Sequence, residues 1–254
     1  MIGNFKARRT NTADGGETPP RIRPLIRSFY RWLLGCKSVF LRKRIRTPRL
    51  EMLRGRYFLV TPEVLNPVVF RSGQYFAEVL ADTGLANPLP GQCEPVALDM
   101  GTGCGICAVF TAELGYRVVG VDINLHAVRC ARANVLLNNL EESVEIRQGD
   151  LFEPVSGDTF DLVLFNPPFY RGTPRSDFDL AWKGLDVFER FASGLGSMLS
   201  RNGRALLLLS TDGDAEGMLI ALGRNKLTVR VAHQRHFGNE IMTIYEIRRE
   251  DKQD

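Results

Sequence analysis

Histidine is scarce in this chain, with three in 254 residues. Two of them, His233 and His236, form an H-x-x-H on a predicted strand, where that spacing turns the rings to opposite faces and discourages a shared metal. The five cysteines are an odd set without disulfide-framework spacing. Cys104 and Cys107 make a C-x-x-C, but no second pair follows at zinc-ribbon spacing. Both fall in a glycine-rich turn and the helix it opens, where cysteine serves as a small apolar filler. No metal site is expected. Long apolar runs are also missing, since nothing approaches the ~20 residues of a membrane span. Arg8-Arg9 and Leu33-Leu34-Gly35-Cys36 look like fragments of export signals, yet Arg27, Arg31 and Lys37 break any hydrophobic core between them. The reading is a reduced, cytoplasmic chain, or one peripheral to a membrane.

Acidic residues are rare at one end. Residues 1–56 hold 15 Lys and Arg against Asp14, Glu17 and Glu51, which leaves 18 bases against 26 acids in the remainder. A basic arm on an acidic body suits an anionic partner, either RNA or a membrane surface. Residues 1–22, with Gly15-Gly16 and Pro19-Pro20 and few apolar anchors, read as a disordered leader. In residues 23–56, Leu25, Phe29, Trp32, Leu33, Cys36, Val39 and Phe40 recur at helical steps. Arg23, Arg27, Arg31, Lys37 and Arg42–Arg44 supply the opposite, cationic side, and Pro48 ends the helix. This basic amphipathic helical extension would meet RNA or anionic lipid, or fold back on the protein itself.

Residues 57–254 read as one α/β domain. Tyr57–Val60 is strand-like, and a helix is predicted over Gln74–Thr83. Strands are predicted at Val96–Met100, Arg117–Asp122, Val144–Gln148, Phe160–Phe165, Ala205–Ser210, Leu227–Ala232 and Met242–Ile247. Helices are predicted at Ile106–Leu114, Leu125–Leu137, Leu180–Ser200 (broken or delayed at Gly184) and Ala215–Leu222. Such alternation implies a Rossmann-like, seven-stranded, mostly parallel sheet with helices on both faces. Two consecutive strands at the end imply a C-terminal antiparallel hairpin.

The chemistry gathers at strand ends. Asp99-Met100-Gly101-Thr102-Gly103-Cys104-Gly105 follows the first core strand and opens a helix. Its glycines permit a tight turn and close backbone approach to a ligand, while the acid ahead of them disfavours a pyrophosphate and welcomes an amine or cation. Asp122 ends the next strand, where a carboxylate can accept both hydroxyls of a ribose. Asp150, after Gln148-Gly149, could accept from an adenine amino group with Leu151 or Phe152 packing on the ring. Asn166-Pro167-Pro168-Phe169 stops the strand Phe160–Phe165. The Asn166 side-chain oxygen and a neighbouring proline carbonyl offer two acceptors, a pair suited to a planar NH2 group.

Taken together, Asp99–Gly105, Asp122, Asp150 and Asn166-Pro167-Pro168-Phe169 resemble a class I S-adenosylmethionine-dependent methyltransferase. The tetrad resembles the amino-group branch, with the HemK/PrmC-type glutamine N5 enzymes and the adenine N6 enzymes. The resemblance covers roughly residues 60–249. It implies that Asp99, Gly101, Thr102, Gly103 and Gly105 hold the methionine end of S-adenosylmethionine. It implies Asp122 and Ile123 at the ribose, Asp150 and Leu151 at the adenine, and Asn166 beside the cofactor. Asn166 and the Pro167 carbonyl would take the acceptor's amino group, with Phe169 or Tyr170 stacked on its planar frame. The acceptor so implied is a protein glutamine or an adenine base, with a small-molecule amine or a non-catalytic cofactor-fold module as the alternatives. One stretch departs from the HemK-type pattern: Phe70-Arg71-Ser72-Gly73-Gln74-Tyr75 has no carboxylate where acids usually stand.

Overall fold

The computed structural model describes residues 47–168, 170–171, 183–184, 186–238 and 240–250. The leader 1–22 and residues 23–46 of the extension lie outside the described residues. The chain enters through a hairpin, β1 (Arg49–Leu53) and β2 (Arg56–Val60), paired antiparallel. Its two-residue turn, Arg54-Gly55, has φ of 52° and 79°, the mirror-image turn that suits the twist of paired strands. The hairpin spans the 56/57 boundary expected between extension and domain, since β1, within the expected extension, pairs with β2. Helix α1 (Arg71–Asp82) begins three residues earlier than its periodicity suggests.

The main sheet joins β3 (Val96–Met100), β4 (Arg117–Asp122), β5 (Val144–Gln148), β6 (Phe160–Phe165), β9 (Leu199–Ser210), β10 (Leu227–His236) and β11 (Ile241–Arg249). Their order is β10-β11-β9-β6-β3-β4-β5. The pairs β3–β4, β3–β6, β4–β5 and β6–β9 are parallel, while β11 runs antiparallel to both β9 and β10. The mostly parallel sheet with its C-terminal hairpin is therefore as expected. A short parallel bridge, β7 (Tyr170–Arg171) with β8 (Lys183–Gly184), stands outside the main sheet.

Strand alternation sends apolar residues into two cores. Ala97, Leu162 and Leu164 face one core, shared with α1, α2 (Ile106–Glu113) and α3 (Leu125–Leu137). Leu98, Val163 and Phe165 face the other, shared with α4 (Val187–Met198) and α5 (Ala215–Arg224). Helix α4 is shorter than the predicted Leu180–Ser200. Leu199 and Ser200 already belong to β9, and Leu199 pairs with Phe160 across a register shift. Gly203 makes that shift fit, since a Cβ there would stand 2.5 Å from the Phe160 carbonyl oxygen. Strand β3 has β4 on one side and β6 on the other, so the chain's crossovers diverge there. At such a point an open α/β sheet leaves a crevice at the carboxyl ends of its strands.

Candidate active site

The glycine turn is held by the strands on either side of it. Gly101, Gly103 and Gly105 have φ of 65°, 58° and 83°, a conformation side chains resist. Thr102 N–H donates to the Val121 carbonyl at 3.0 Å, and the Thr102 hydroxyl donates to Asp99 Oδ2 at 2.7 Å. Gly103 N–H donates to Asp122 Oδ2 at 2.9 Å, and Asn124 N–H donates to Asp122 Oδ1 at 2.9 Å. Asp122 thus fixes the turn as well as ending its own strand.

Asp99 is buried, and burial pushes its carboxyl up to about 7, against hydrogen bonds from Thr102 and the Ala108 N–H. The nearby Asp122 carboxylate adds to the rise. Burial likewise raises Asp122, opposed by the N–H groups of Asn124, Gly103 and Ile123. Two carboxyls held at a disadvantage side by side form a site that a cation relieves.

A cavity of about 370 Å³ opens at this point, lined by Asp99, Gly101, Thr102, Gly103, Asp122 and Ile123. Asp150, Leu151, Asn166 and Pro167 complete the predicted set around it. Strand ends separated by more than 60 residues thus meet in one crevice. Gly105 does not line it: as the N-cap of α2 it faces α3, where a Cβ would come within 3.2 Å of the Ala131 Cβ. Phe169 lies outside the described residues, as does the side chain of Tyr170. Phe152 is turned away, stacked on Phe191 with ring centroids 5.6 Å apart and pressed against Gly194 of α4. Of Phe152 and Leu151, Leu151 stands in the cavity wall, with its backbone in the left-handed region at φ 50°.

Asn166 also lines the cavity. Its Nδ2 donates to the Ser72 hydroxyl at 3.3 Å, while its Oδ1 is buried with no hydrogen-bond partner among the described residues. A buried amide oxygen without a donor is costly unless a ligand supplies one. Sequence reasoning missed Ser72, which lies in the stretch without a carboxylate, and it missed Glu63 and Arg190, both in the cavity wall. Arg190 Nη2 donates to Asp150 Oδ2 at 2.8 Å, and Arg190 Nη1 stands 3.8 Å from Asp186. Hydrogen bonding to Asp150 raises the arginine's pKa further. Nothing local in the sequence marks that pair. Cys104 and Cys107 are buried, and burial pushes both thiols up, in keeping with a packing role.

The donor set fits S-adenosylmethionine. The buried Asp99 carboxyl suits its amine and sulfonium charge, the glycine backbone leaves room for the methionine end, and Asp122 suits ribose hydroxyls. A 370 Å³ cavity is in the usual range for a cofactor-sized ligand.

Fold and crevice define a Rossmann-like α/β protein with a ligand site at the topological switch point. The methyltransferase small domain model matches residues 74–235, and the chain belongs to that family. A Bordetella pertussis ribosomal protein uL3 glutamine methyltransferase is 32% identical over 179 residues, covering 64% of this chain and 57% of that protein. A Porphyromonas gingivalis tRNA1(Val) (adenine(37)-N6)-methyltransferase is 33% identical over 95 residues, covering 35% of this chain and 36% of that protein. Across three such relatives the chain spans between 52% and 61% of their length. Among solved structures, a T. thermophilus 16S rRNA N2 G1207 methyltransferase, in complex with AdoMet and guanosine, aligns with TM-score 0.57 and 20% identity. That alignment covers 80% of this chain and 50% of the other, and it is a likeness of fold.

Proposed function

We propose that this chain transfers a methyl group from S-adenosylmethionine to the planar amino nitrogen of a protein glutamine or an adenine base. The observation that carries the reading is the buried, unpartnered Oδ1 of Asn166 at the cavity wall. In this reading Asp99 and the Gly101–Gly103 backbone hold the methionine end. Asp122 and Ile123 hold the ribose, and Asp150 and Leu151 the adenine. Bound there, S-adenosylmethionine supplies a methyl group on a positively charged sulfur.

The acceptor presents the harder problem. An amide or aromatic amine shares its lone pair with its π-system and is a poor nucleophile. Asn166 Oδ1 and the Pro167 carbonyl each take one N–H of that amine, which fixes it and favours pyramidal nitrogen with its lone pair exposed. Phe169 or Tyr170 stacks on the planar frame. Both acceptors also stabilise the positive charge that develops on the nitrogen. No general base is required before transfer, because the product ammonium is acidic enough to release its proton afterwards.

The test is transfer of tritiated methyl from S-adenosylmethionine into lysate fractions, followed by protease or nuclease digestion. Label is expected in a macromolecular fraction, and its sensitivity separates glutamine from adenine. Asn166→Ala should lower kcat by about 10²–10³-fold with donor binding retained. Full transfer by that variant would overturn the assignment.

A further inference from the structure

The β1–β2 hairpin carries an apolar face on the wrong side. Register pairs Leu50 with Leu59 and Met52 with Tyr57, so these four share one face, while Glu51, Leu53, Phe58 and Val60 point into the core. Leu50, Met52 and Tyr57 are 60%, 62% and 50% exposed. A sheet with one solvated face alternates apolar with polar, and four apolar neighbours there call for a cover. Leu137, 47% exposed, lies about one turn on from Asn134, which bonds to Leu59.

We propose that the cover is the chain's own residues 25–40, seated across Leu50, Met52, Tyr57 and Leu59. Three facts single out this occupant. Its apolar residues, from Leu25 to Phe40, recur at helical steps, and eight residues separate Phe40 from the start of β1 at Arg49. Sixteen helical residues would extend about 24 Å, enough to overlay five-residue strands of about 17 Å. The intervening residues 41–48 span at most about 29 Å, enough for the chain to double back. The hairpin's Arg54 and Arg56 are already paired with Asp82 and Glu113, whereas Arg49 adds one like charge at the outer edge. The seat does not depend on the methyl-transfer reading.

The chain has two tryptophans, so Trp182→Phe leaves Trp32 as sole reporter inside the segment. In the full-length Trp182→Phe protein, without RNA or lipid, Trp32 emission should be blue-shifted. Acrylamide quenching should be several-fold weaker than for the same chain in denaturant. Leu50→Glu with Met52→Glu should raise quenching to the denatured level, whereas Ile220→Glu, on the opposite face of the sheet, should leave it unchanged. Should the double glutamate variant lose its circular dichroism, Leu50→Ser with Met52→Ser makes the same test more mildly. Trp32 as freely quenched in the native chain as in denaturant overturns the proposal. So does protection that arises only on adding RNA or phosphatidylserine vesicles, or that survives both hairpin variants.

Discussion

The side-chain amide of Asn134 bonds to both backbone polar groups of Leu59, whose carbonyl also accepts from the Cys130 thiol at 3.1 Å. Its Oδ1 accepts from the Leu59 N–H at 2.7 Å, and its Nδ2 donates to the Leu59 carbonyl at 2.8 Å. The same Nδ2 donates to the Cys104 carbonyl in the glycine turn at 2.8 Å. One fully buried amide on α3 thus ties the edge of the hairpin to the loop at the cavity. Asn134→Ala removes the partner of the Leu59 N–H and one donor from each of the two carbonyls, and should destabilise the fold by about 2–4 kcal/mol. Thermal or denaturant unfolding would measure this. Asn134→Asp, which keeps an acceptor and loses the donors, should not restore the parent value.

Asp99 sets a pH dependence. Its carboxyl titrates at about 7 in the folded chain against an ordinary 3.8, so between those values the folded chain holds a proton the unfolded chain has lost. The stability it contributes is complete below about pH 4 and is lost as pH rises through about 7. Asp122, also raised, acts in the same direction, while Glu78, Glu145 and Glu246 are lowered and act oppositely. Comparing unfolding free energy from about pH 5 to about pH 8 in the parent and in Asp99→Asn isolates the effect: the variant should fall less steeply.

Ligand binding should show the reverse slope. A cationic ligand favours the Asp99 carboxylate, so S-adenosylmethionine affinity should rise between about pH 6 and about pH 8, with proton release on binding. Calorimetry in two buffers of different ionisation heat would detect the proton. A release unchanged in Asp99→Asn would remove Asp99 from the site.

Arg190 holds Asp150 in the cavity wall, with both side chains partly in water. A pair that exposed contributes little to global stability. Arg190→Ala should therefore leave the unfolding midpoint nearly unchanged while weakening donor binding several-fold, since Asp150 loses the partner that orients it. A shift in the acceptor's KM without one in the donor's Kd would contradict this.

Leu151 combines a side chain in the cavity wall with a strained backbone. Leu151→Gly relieves the left-handed conformation, worth about 1–2 kcal/mol for a non-glycine residue, and removes the packing surface. The expected outcome is unchanged or slightly higher stability together with weaker S-adenosylmethionine binding. A scanning unfolding experiment and a binding titration on the same preparation would check both halves.

Much of the site was legible because its residues occupy positions that local rules mark. Asp99, Asp122, Asp150 and Asn166 each follow an apolar run whose length and flanking glycines or prolines identify a strand end. In a parallel α/β sheet those ends face one crevice. The hairpin was harder to read. Arg49–Leu53 is short and charged at its start, it abuts a basic helical pattern, and its Arg54-Gly55 turn is a weak hairpin signal. Phe152 and Leu151 are adjacent and equally apolar, and only the packing of Phe152 on Phe191 decides which lines the cavity.

The sequence by itself determined the strand and helix order, the parallel sheet and the set of polar strand ends, because hydrophobic period and turn chemistry act over a few residues. Tertiary structure alone decided that Ser72 meets Asn166 across 94 positions, that Arg190 meets Asp150 across 40, and that Asn134 seals Leu59 across 75. Those pairings depend on how helices cross the sheet, and no local pattern encodes that. They also decide which polar atoms are satisfied, and they leave Asn166 Oδ1 buried without a partner among the described residues.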